Sequence, residues 1–418
     1  MAQTPLPLRV ILLMKATTYR ARPFLEAAAR LGIEVIKGID MPPELAEYWQ
    51  APLGVQFDQP EQAVETIVEF AHQKPVQAIL AVDDSATVLA ALASEALGLA
   101  FNSSEAALAA RNKYRMRQLL SAAGVPCPKF RLFDMADNPT QVAAQVEYPC
   151  VVKPLLLSGS RGVIRADNPV EFETAFRRLG RMLASMQRVP GSTGILVENF
   201  IPGFEVALEG MLDRGQLKVL ALFDKPDPLD GPFFEETIYV TPSRLPASVQ
   251  TEIADCAARA AAALGLRQGP IHAELRVNGA GPWLVEVAGR SIGGLCSQTL
   301  RFGPDVSLEE LILRQAVGLE IESWRGDEGA RGVMMIPIPA AGLLKRVDGV
   351  EAARQVPGIE SVEITAQLYQ PLVPLPEGES YLGFIFARGN EPAEVEAALR
   401  QAHARLHFEV ETLLPVIQ

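Results

Sequence analysis

Two glutamates, Glu274 and Glu286, stand in alternating apolar and polar segments on either side of the turn-rich sequence NGAGP. A hairpin loop over residues 278–282 sets Val277 opposite Trp283 and Glu274 opposite Glu286. Two carboxylates directly opposite each other on one face of a sheet repel and weaken it. A bound divalent cation reverses the sign of that interaction, and ligation by oxygen alone suits Mg²⁺ together with substrate phosphates. The hairpin therefore predicts a magnesium–phosphate site.

The same two segments carry further polar candidates. Since side chains alternate between the two faces of a strand, His272 shares a face with Glu274, and Leu284, Glu286 and Ala288 are expected to share a face of the second segment. His272 could orient a substrate or transfer a proton. A hydrogen-bonded structural role is an equal alternative for this histidine.

Arg290 follows Glu286 on the same face by parity and precedes Gly293 and Gly294. An arginine close to metal-bridged phosphates can stabilise the charge that builds in a transition state. The two glycines can supply backbone N–H donors. We therefore expect Arg290, Gly293 and Gly294 to act where the phosphoryl group is transferred.

Basic and glycine-containing segments upstream could hold the phosphates. Lys153 ends the apolar run VVK, and a lysine at a strand end can neutralise phosphate as a point charge. Lys113 lies at a predicted helix start, where the helix dipole prefers an anion, so a phosphate partner is again indicated. Small residues would let backbone N–H groups approach phosphate oxygens in the loop of Ser158, Gly159, Ser160, Arg161, Gly162 and Val163. Solvated lysines and a plain turn are the alternatives.

The segment LVENFIPGFEV places Glu198 at the end of a buried strand and Glu205 on the next strand. Exposed backbone at such a strand end can contact the edge of an adenine, and the Glu205 carboxylate can accept from ribose hydroxyls. Two surface glutamates that flank a turn are the alternative interpretation.

Composition narrows the class of protein. The 418 residues are 49% hydrophobic and 21% charged, which indicates a folded chain of two to four domains. A net charge of −12 disfavours nucleic acid or an anionic membrane as the main partner. The four cysteines form no CxxC pair, and the N-terminal apolar run is too short for a signal peptide. We therefore expect a cytoplasmic protein.

Strands and helices alternate in the first hundred residues. Strands are predicted at 8–14, in IEVIKGID and in VQAILAVDD, with helices over 21–31, 61–72 and 86–97, which indicates a doubly wound α/β domain. Ligands bind at the carboxyl ends of such strands, so Asp83 and Asp84 are candidates for substrate contact, with helix capping as the alternative. The glycine fingerprint of dinucleotide-binding folds is missing after the first strand, which argues against a dehydrogenase.

The middle of the chain predicts a second arrangement. Asn112 can cap a helix that ends near Gly124, and the sequence VPCP then marks a domain boundary. The segments GILVEN, FEVALEGML and LKVLALFDK are predicted to form one antiparallel sheet. We interpret residues 225–246 as an ordered functional loop, residues 249–264 as a helix, and Ser307 with Glu310 as a capping box. The last ninety or so residues return to strand–helix alternation.

Taken in order, the motifs at Lys113, VVKP, SGSRGV, LVENFIPGFEV, HAEL and VEVAGRSIGGL resemble the ATP-grasp superfamily of carboxylate–amine ligases, and the tail resembles its L-amino acid (dipeptide) ligase branch. The resemblance implies an α/β fold with four domains. These would be an N-terminal pre-ATP-grasp domain at 1–112, a lid at 113–203, a catalytic core at 204–325 and a C-terminal extension at 326–418.

The resemblance also implies roles and substrates. Lys113 and Lys153 would hold the ATP phosphates beneath the closing loop at 158–163. Adenine would contact Glu198 and the backbone of Phe200 and Ile201, and the ribose would contact Glu205. Glu274 and Glu286 would carry Mg²⁺, with Mn²⁺ as an alternative, while Arg290, Gly293 and Gly294 would stabilise the acyl-phosphate. The substrates would be a small-molecule carboxylate and amine, and the protein would be a homodimer.

One position departs from the family pattern. The family often has Asn two residues after the second metal glutamate, and this chain has Ala288 there, so a second Mg²⁺ would lose a ligand. The alternatives to an amino acid ligase are a carboxylase-type or purine-pathway ATP-grasp enzyme and a non-catalytic nucleotide-binding protein.

Overall fold

The structure is a computed structural model, and it describes residues 7–186, 193–303, 305–322, 324–378 and 380–412. Within these ranges, none of the helices combines the length and the apolar character that crossing a bilayer requires. The α/β class predicted from the sequence is confirmed, since helices and strands alternate in the first part, and helices pack beside antiparallel sheets in the rest.

The N-terminal part is a doubly wound unit around a parallel sheet. Its elements are β1 (Arg9–Met14), α1 (Ala21–Leu31), β2 (Glu34–Asp40), α2 (Pro43–Tyr48), β3 (Leu53–Val55), α3 (Pro60–Gln73), β4 (Ala78–Ala81), α4 (Thr87–Leu97) and α5 (Ser104–Arg111). The strand order is β3-β2-β1-β4, and all pairs are parallel. The prediction omitted β3, because three residues are too few to show a period.

The part predicted as the lid is a small antiparallel sheet with helices. It comprises α6 (Lys113–Ala122), β5 (Phe130–Asp134), α7 (Pro139–Ala143), β6 (Cys150–Pro154), β7 (Ile164–Ala166), α8 (Pro169–Ser185) and β8 (Gly194–Asn199), in the strand order β5-β8-β6-β7. Asn112 caps α6, as predicted, because its Oδ1 accepts from the N–H groups of Tyr114 (3.0 Å) and Arg115 (3.1 Å).

The central part contains β9 (Phe204–Asp213), β10 (Gln216–Lys225), β11 (Ile238–Thr241), α9 (Ala247–Leu264), β12 (Gly269–Asn278), β13 (Gly281–Ala288), β14 (Arg301–Phe302), β15 (Val306–Ser307) and α10 (Leu308–Ala316). The prediction that GILVEN joins FEVALEGML and LKVLALFDK in one sheet is wrong. GILVEN is β8 and pairs within the lid, whereas β9 and β10 pair with each other. Close spacing along the chain did not reveal that the chain changes sheets at Pro202–Gly203.

The C-terminal part comprises β16 (Ala330–Ile336), β17 (Gly342–Asp348), α11 (Val350–Arg354), β18 (Ile359–Ile364), β19 (Pro371–Leu372), β20 (Gly383–Gly389), α12 (Pro392–His403) and β21 (His407–Glu411). Its strands β16, β20 and β18 complete an eight-stranded sheet of order β13-β12-β9-β10-β11-β16-β20-β18. The predicted boundary at 325/326 therefore lies inside the span of a continuous sheet, and the four-domain division stays a prediction.

One apolar cluster joins these parts. It includes the fully buried side chains of Val10 on β1, Ala207 on β9, Phe302 on β14 and Val333 on β16. Burial of this kind contributes about 25 cal/mol for each Å² of apolar surface removed from water. The N-terminal sheet and the central sheet are thus held in one arrangement, and that arrangement positions the candidate site between them.

Candidate active site

The hairpin of β12 and β13 brings Glu274 directly opposite Glu286, as predicted. The predicted loop is wrong, because Val277 pairs with Pro282, Asn278 pairs with Gly281, and only two residues form the turn. Asn278 closes this turn through its Oδ1, which accepts from the N–H of Ala280 at 2.9 Å.

A β-bulge reconciles the short turn with the glutamate pair. The register shifts between Glu274 and Leu275, so one extra residue, Val285, is accommodated on β13. Because of this extra residue, positions on β13 before the bulge alternate out of step with those after it. Leu284 therefore packs with Leu275 in the apolar core. The expectation that Leu284 shares a face with Glu286 is wrong.

Each glutamate of the pair contacts a lysine. Lys113 Nζ lies 3.1 Å from Glu286 Oε1 and donates to the carbonyl of Leu157 at 2.7 Å. Lys225 Nζ lies 3.2 Å from Glu274 Oε1. The expected repulsion between the two carboxylates is thus offset by two ammonium groups, which are themselves suited to phosphate oxygens.

Lys225 is the centre of a buried acidic cluster. Its ammonium also lies 2.9 Å from Glu205 and 2.5 Å from Glu236. Oxygen atoms of Glu205, Glu236 and Glu274 come within 4.8 Å of one another, a spacing that a metal ion could bridge. Burial, and then the negative charge of Glu274, raises the pKa of Glu236 to about 7. Three carboxylates thus surround one ammonium group, and Arg276 and His272 add positive charge beside Glu205 and Glu274.

A second ion cluster surrounds Glu198. Arg117 Nε contacts Glu198 Oε1 at 2.6 Å, and Lys153 Nζ contacts Glu198 Oε2 at 2.7 Å, with all three side chains buried. Burial alone would raise the pKa of Glu198, but Arg117 and then Lys153 hold that pKa below its usual value. Glu198 therefore fixes Lys153, and Arg117 also donates to the carbonyl of the bulged residue Val285.

The predicted adenine and ribose residues lie around Phe200. Glu205 accepts from Arg276 Nε at 2.8 Å, and Arg276 also donates to the Ile201 carbonyl at 2.9 Å. The guanidinium carbons of Arg165 and Arg276 lie 4.2 and 4.8 Å from the centroid of the Phe200 ring. The N–H of Phe200 donates to Pro149. An adenine contact with this backbone would thus use the Phe200 carbonyl and the Ile201 N–H.

The loop at 158–163 joins β6 to β7 and touches the C-terminal part. Gly159, Ser160 and Gly162 have φ values of 64°, 56° and 73°, in the left-handed region that favours glycine. Arg161 Nε donates to the Glu377 carbonyl, and the Gly162 N–H donates to the Pro376 carbonyl, both at 2.8 Å. Arg178 on α8 adds a two-point ion pair to Glu377 at 2.7 and 2.8 Å.

Arg290 lies between the central sheet and the N-terminal part. Its Nη2 is 2.7 Å from Asp84 Oδ2, and its Nη1 donates to the Ser291 carbonyl at 2.8 Å. Asp84 lies three residues beyond the carboxyl end of β4, in the region where ligand-contacting residues were expected. The neighbouring Asp83 fulfils the capping alternative, since its Oδ1 accepts from the Ser85 N–H at 2.9 Å.

His272 is held by a fully buried carboxylate. Its Nδ1 lies 3.1 Å from Glu209, and its Nε2 lies 3.5 Å from Glu274. Burial lowers the pKa of His272, but hydrogen bonds to Glu209 and then Glu274 raise it overall to about 9. Glu209 also accepts from the Ile292 N–H at 3.1 Å. The histidine therefore has structural partners on both nitrogens, and near neutral pH it acts as a donor to both.

Of Gly293 and Gly294, which follow Arg290, only Gly294 is tightly placed. Gly294 has φ 60°, and a Cβ added there would lie 2.9 Å from the Phe384 ring. Gly293 has open space at the corresponding position, and its carbonyl accepts from the Cys296 N–H at 3.3 Å. The backbone at Gly294 therefore requires glycine for both conformation and space.

The sequence analysis did not identify several residues of the site, namely Arg117, Glu209, Lys225, Glu236 and Arg276. It named Asp84 but not the contact of Asp84 with Arg290. Part of the signal was present, since Glu205 and Glu209 share a face of β9 by parity. The register places Glu209 opposite His272 and Glu205 opposite Arg276. Pairing the β9 and β12 sequences would have identified these cross-strand pairs, whereas Lys225 and Glu236 needed the three-dimensional path of the loop.

Three domain families match the chain. They are an ATP-grasp N-terminal domain over residues 25–101, an ATP-grasp domain over residues 146–299, and an L-amino acid ligase C-terminal domain 2 over residues 334–411. The chain belongs to the ATP-grasp superfamily, which confirms the resemblance seen in its motifs. The third match shows that residues 334–411 are similar to a C-terminal domain of L-amino acid ligases.

Individual proteins agree with this assignment. The fold matches the crystal structure of an L-amino acid ligase from Bacillus licheniformis with a TM-score of 0.82 and 26% identity, covering 98% of this chain and 100% of that one. Alanine–anticapsin ligase of Bacillus subtilis is 28% identical over 56% of this chain and 52% of its own length. Dapdiamide A synthase of Enterobacter agglomerans is 27% identical over 55% and 54%. The matched part thus spans about half the length of these two curated relatives.

Proposed function

We propose that this protein is an ATP-dependent carbon–nitrogen ligase that joins two amino acids or similar small molecules and releases ADP and phosphate. A carboxylate oxygen of the first substrate attacks the γ-phosphorus, and the bond to ADP breaks. The amine of the second substrate then attacks the acyl carbon, the bond to phosphate breaks, and the amine loses a proton. The observation that supports this proposal most strongly is a pair of contacts at one face of the sheet. Glu286 contacts Lys113 there, and Glu274 contacts Lys225.

The charged groups around this face support in-line phosphoryl transfer, which depends on positioning and charge neutralisation more than on covalent help. Lys113 and Lys225 would turn from the glutamates to phosphate oxygens when ATP binds. Lys153, oriented by Glu198, would hold a further phosphate oxygen. The loop at 158–163 would close over the phosphates and exclude water that would hydrolyse the acyl-phosphate.

We assign the nucleoside to the region around Phe200. Glu198 and the backbone of Phe200 and Ile201 would contact adenine, and Glu205 would accept from the ribose hydroxyls. The support for this assignment is the position of Glu205, which is buried beside the lid and within reach of two cations that can release it.

The donor set fits a magnesium ion, with Mn²⁺ as an alternative. Glu274 and Glu286 present hard oxygen donors from adjacent strands, as Mg²⁺ prefers, and Glu236 lies within bridging distance of Glu274. Bound Mg²⁺ would neutralise charge on the phosphates. Ala288 lies opposite His272 and offers no side-chain ligand, so we propose a single protein-held ion in addition to any that ATP brings.

Arg290, Gly293 and Gly294 would stabilise the acyl-phosphate and the tetrahedral intermediate. Burial lowers the pKa of Arg290, but Asp84 and then Glu286 raise it overall and keep the guanidinium cationic. His272 would orient Glu274 and donate a hydrogen bond, because its raised pKa favours the protonated form over a general base.

The test is a panel assay for ADP release. We expect release with pairs of amino acids and background rates with either amino acid alone, bicarbonate or formate. Glu286→Gln should lower the rate by about 10²-fold or more, as expected for loss of a group that places transition-state charge. Glu252→Gln on the exposed face of α9 is the matched control and should retain the rate.

Each other outcome has a meaning. Full amine-dependent release by Glu286→Gln contradicts the proposed site. Release that depends on bicarbonate or formate favours a carboxylase-type or purine-pathway enzyme. Background turnover with every substrate, together with tight ADP binding, favours a non-catalytic nucleotide-binding protein.

We also propose that the enzyme acts in the cytoplasm as a homodimer. The cytoplasmic assignment is supported by four cysteines that are all free thiols. The dimer rests on family resemblance, and light scattering coupled to gel filtration would test it through the measured mass.

A further inference from the structure

The guanidinium of Arg290 has an unusual set of partners. Nη1 donates to the Ser291 carbonyl, and Nη2 contacts Asp84. The Nε atom is buried, and within the described part of the chain it has no hydrogen-bond partner. A buried donor without an acceptor costs free energy, and such a group in a native structure often marks the place of a ligand.

Asp84 is the group that fixes this orientation from another domain. It follows β4 at the carboxyl edge of the N-terminal sheet, and its side chain is only 15% exposed. Arg290 and its other cationic neighbours hold the pKa of Asp84 well below its usual value, although burial opposes this. The carboxylate is therefore anionic and makes a charge-assisted hydrogen bond, the stronger kind.

A second side chain of the N-terminal part holds the same loop. Arg20, at the start of α1, donates from Nη2 to the Ile292 carbonyl at 2.7 Å. Burial, and then the positive charge of Arg290, lowers the pKa of Arg20, while Asp83 and Asp84 oppose this effect. The negative charge of Asp84 thus also offsets the repulsion between the two guanidinium groups.

We propose that Asp84 is a positioning residue that holds Arg290 with its Nε–H directed at the reacting oxygens of the substrate. The inference rests on the proposed ligase function and deepens it. The N-terminal domain then contributes to the chemical step through Arg290, without touching the substrate itself. The alternative role for Asp84 is direct binding of a substrate ammonium group by its carboxylate, and the experiment below distinguishes the two roles.

A double-mutant cycle tests the proposal, because residues that act as a unit are not additive. The variants are Asp84→Asn, Arg290→Lys and the double variant, each assayed for kcat and KM in the ADP-release reaction. We expect Asp84→Asn to lower kcat by about 10- to 100-fold and to change the KM for ATP by less than about threefold. The double variant should fall within about twofold of Arg290→Lys alone.

The matched control is Asp83→Asn, which alters the adjacent carboxylate and should keep kcat within about threefold. Urea unfolding checks each variant. If Asp84→Asn lowers the unfolding midpoint, Asp84→Glu takes its place in the cycle, since it keeps the charge but not the 2.7 Å geometry. The same loss of kcat and the same non-additivity are expected for it.

Two results would overturn the inference. Multiplicative losses in the double variant would mean that Asp84 acts independently of Arg290. A raised KM for an amino-acid substrate with unchanged kcat would mean that Asp84 binds substrate directly. Background turnover by the wild-type protein with every substrate pair would instead refute the ligase function, so the two failures are distinguishable.

Discussion

Glu209→Gln is the most informative single change in the central sheet. Glu209 is fully buried and accepts from His272 Nδ1 and from the Ile292 N–H. Glutamine keeps the size of the side chain but presents an amide donor to one of these two donors. The variant therefore removes a charge and one acceptor without opening a cavity.

The magnitude follows from the pKa of His272. Burial lowers this pKa, but Glu209 and then Glu274 raise it overall from 6.5 to about 9. Each unit corresponds to about 1.36 kcal/mol, so the two carboxylates together favour the charged histidine by about 3 kcal/mol, of which the larger part is assigned to Glu209. Because the folded-state pKa is the higher one, the contribution is complete below pH 6.5 and is lost as the pH rises through 9. We expect Glu209→Gln to cost about 2 to 3 kcal/mol at pH 6.5 and about 1 kcal/mol or less at pH 9.5.

The assay is urea unfolding followed by the fluorescence of Trp283, which lies on β13 beside the site. Trp49→Phe and Trp324→Phe in the background leave Trp283 as the reporter, since the chain has three tryptophans. EDTA keeps metal ions away from Glu274 during the measurement. An equal loss of stability at pH 6.5 and pH 9.5 would refute the reasoning, because it would show that the charge of His272 does not couple to Glu209.

Three further predictions concern the nucleotide and the metal. Arg117→Met leaves Glu198 buried with one cation, so we expect a loss of about 3 kcal/mol in unfolding free energy and weaker ADP binding by calorimetry, whereas unchanged ADP affinity would contradict the role of this cluster. Glu377→Ala removes the contact of Arg178 with the C-terminal part. This half-exposed pair is worth no more than about 1 kcal/mol, so we expect unchanged global stability but faster proteolytic cleavage near residues 158–163 in the absence of ATP. Activity should vanish in EDTA and return when Mg²⁺ is added. At fixed MgATP, the dependence of activity on free Mg²⁺ should have a Hill slope near one, because Ala288 supplies no ligand for a second protein-held ion. A slope near two would contradict this.

Local features of the fold were predictable from the sequence. Helix ends were marked by residues with a specific backbone role, such as Gly32, which takes the left-handed conformation at φ 66° after α1. Asn112 was recognisable as a cap because a short amide at that position satisfies two otherwise unpaired N–H groups. The opposition of Glu274 and Glu286 was predicted from a five-residue loop, whereas in the structure a two-residue turn and the bulge at Val285 together produce it.

Contacts between distant segments were not predictable in the same way. Asp84 and Arg290 lie about 200 residues apart in the chain, and nothing in either local sequence indicates the other. The polar residues Lys225 and Glu236 meet because the chain loops between β10 and β11. Patterns of hydrophobicity determine which face of an element is buried, but not which polar groups meet across two sheets.

The bulge at Val285 has a consequence for how this hairpin can vary. In a regular hairpin with this two-residue turn, Glu274 would pair with Val285. The bulge shifts the register by one residue, so Glu274 pairs with Glu286 instead. Insertions of an even number of residues at the tip would lengthen both arms and leave the two carboxylates facing each other. Regular pairing from the same turn, without the bulge, would set Glu286 opposite Ala273, whose side chain lies in the apolar core. The extra residue Val285, which has no reactive side chain, thus keeps both proposed metal ligands on one face of the hairpin.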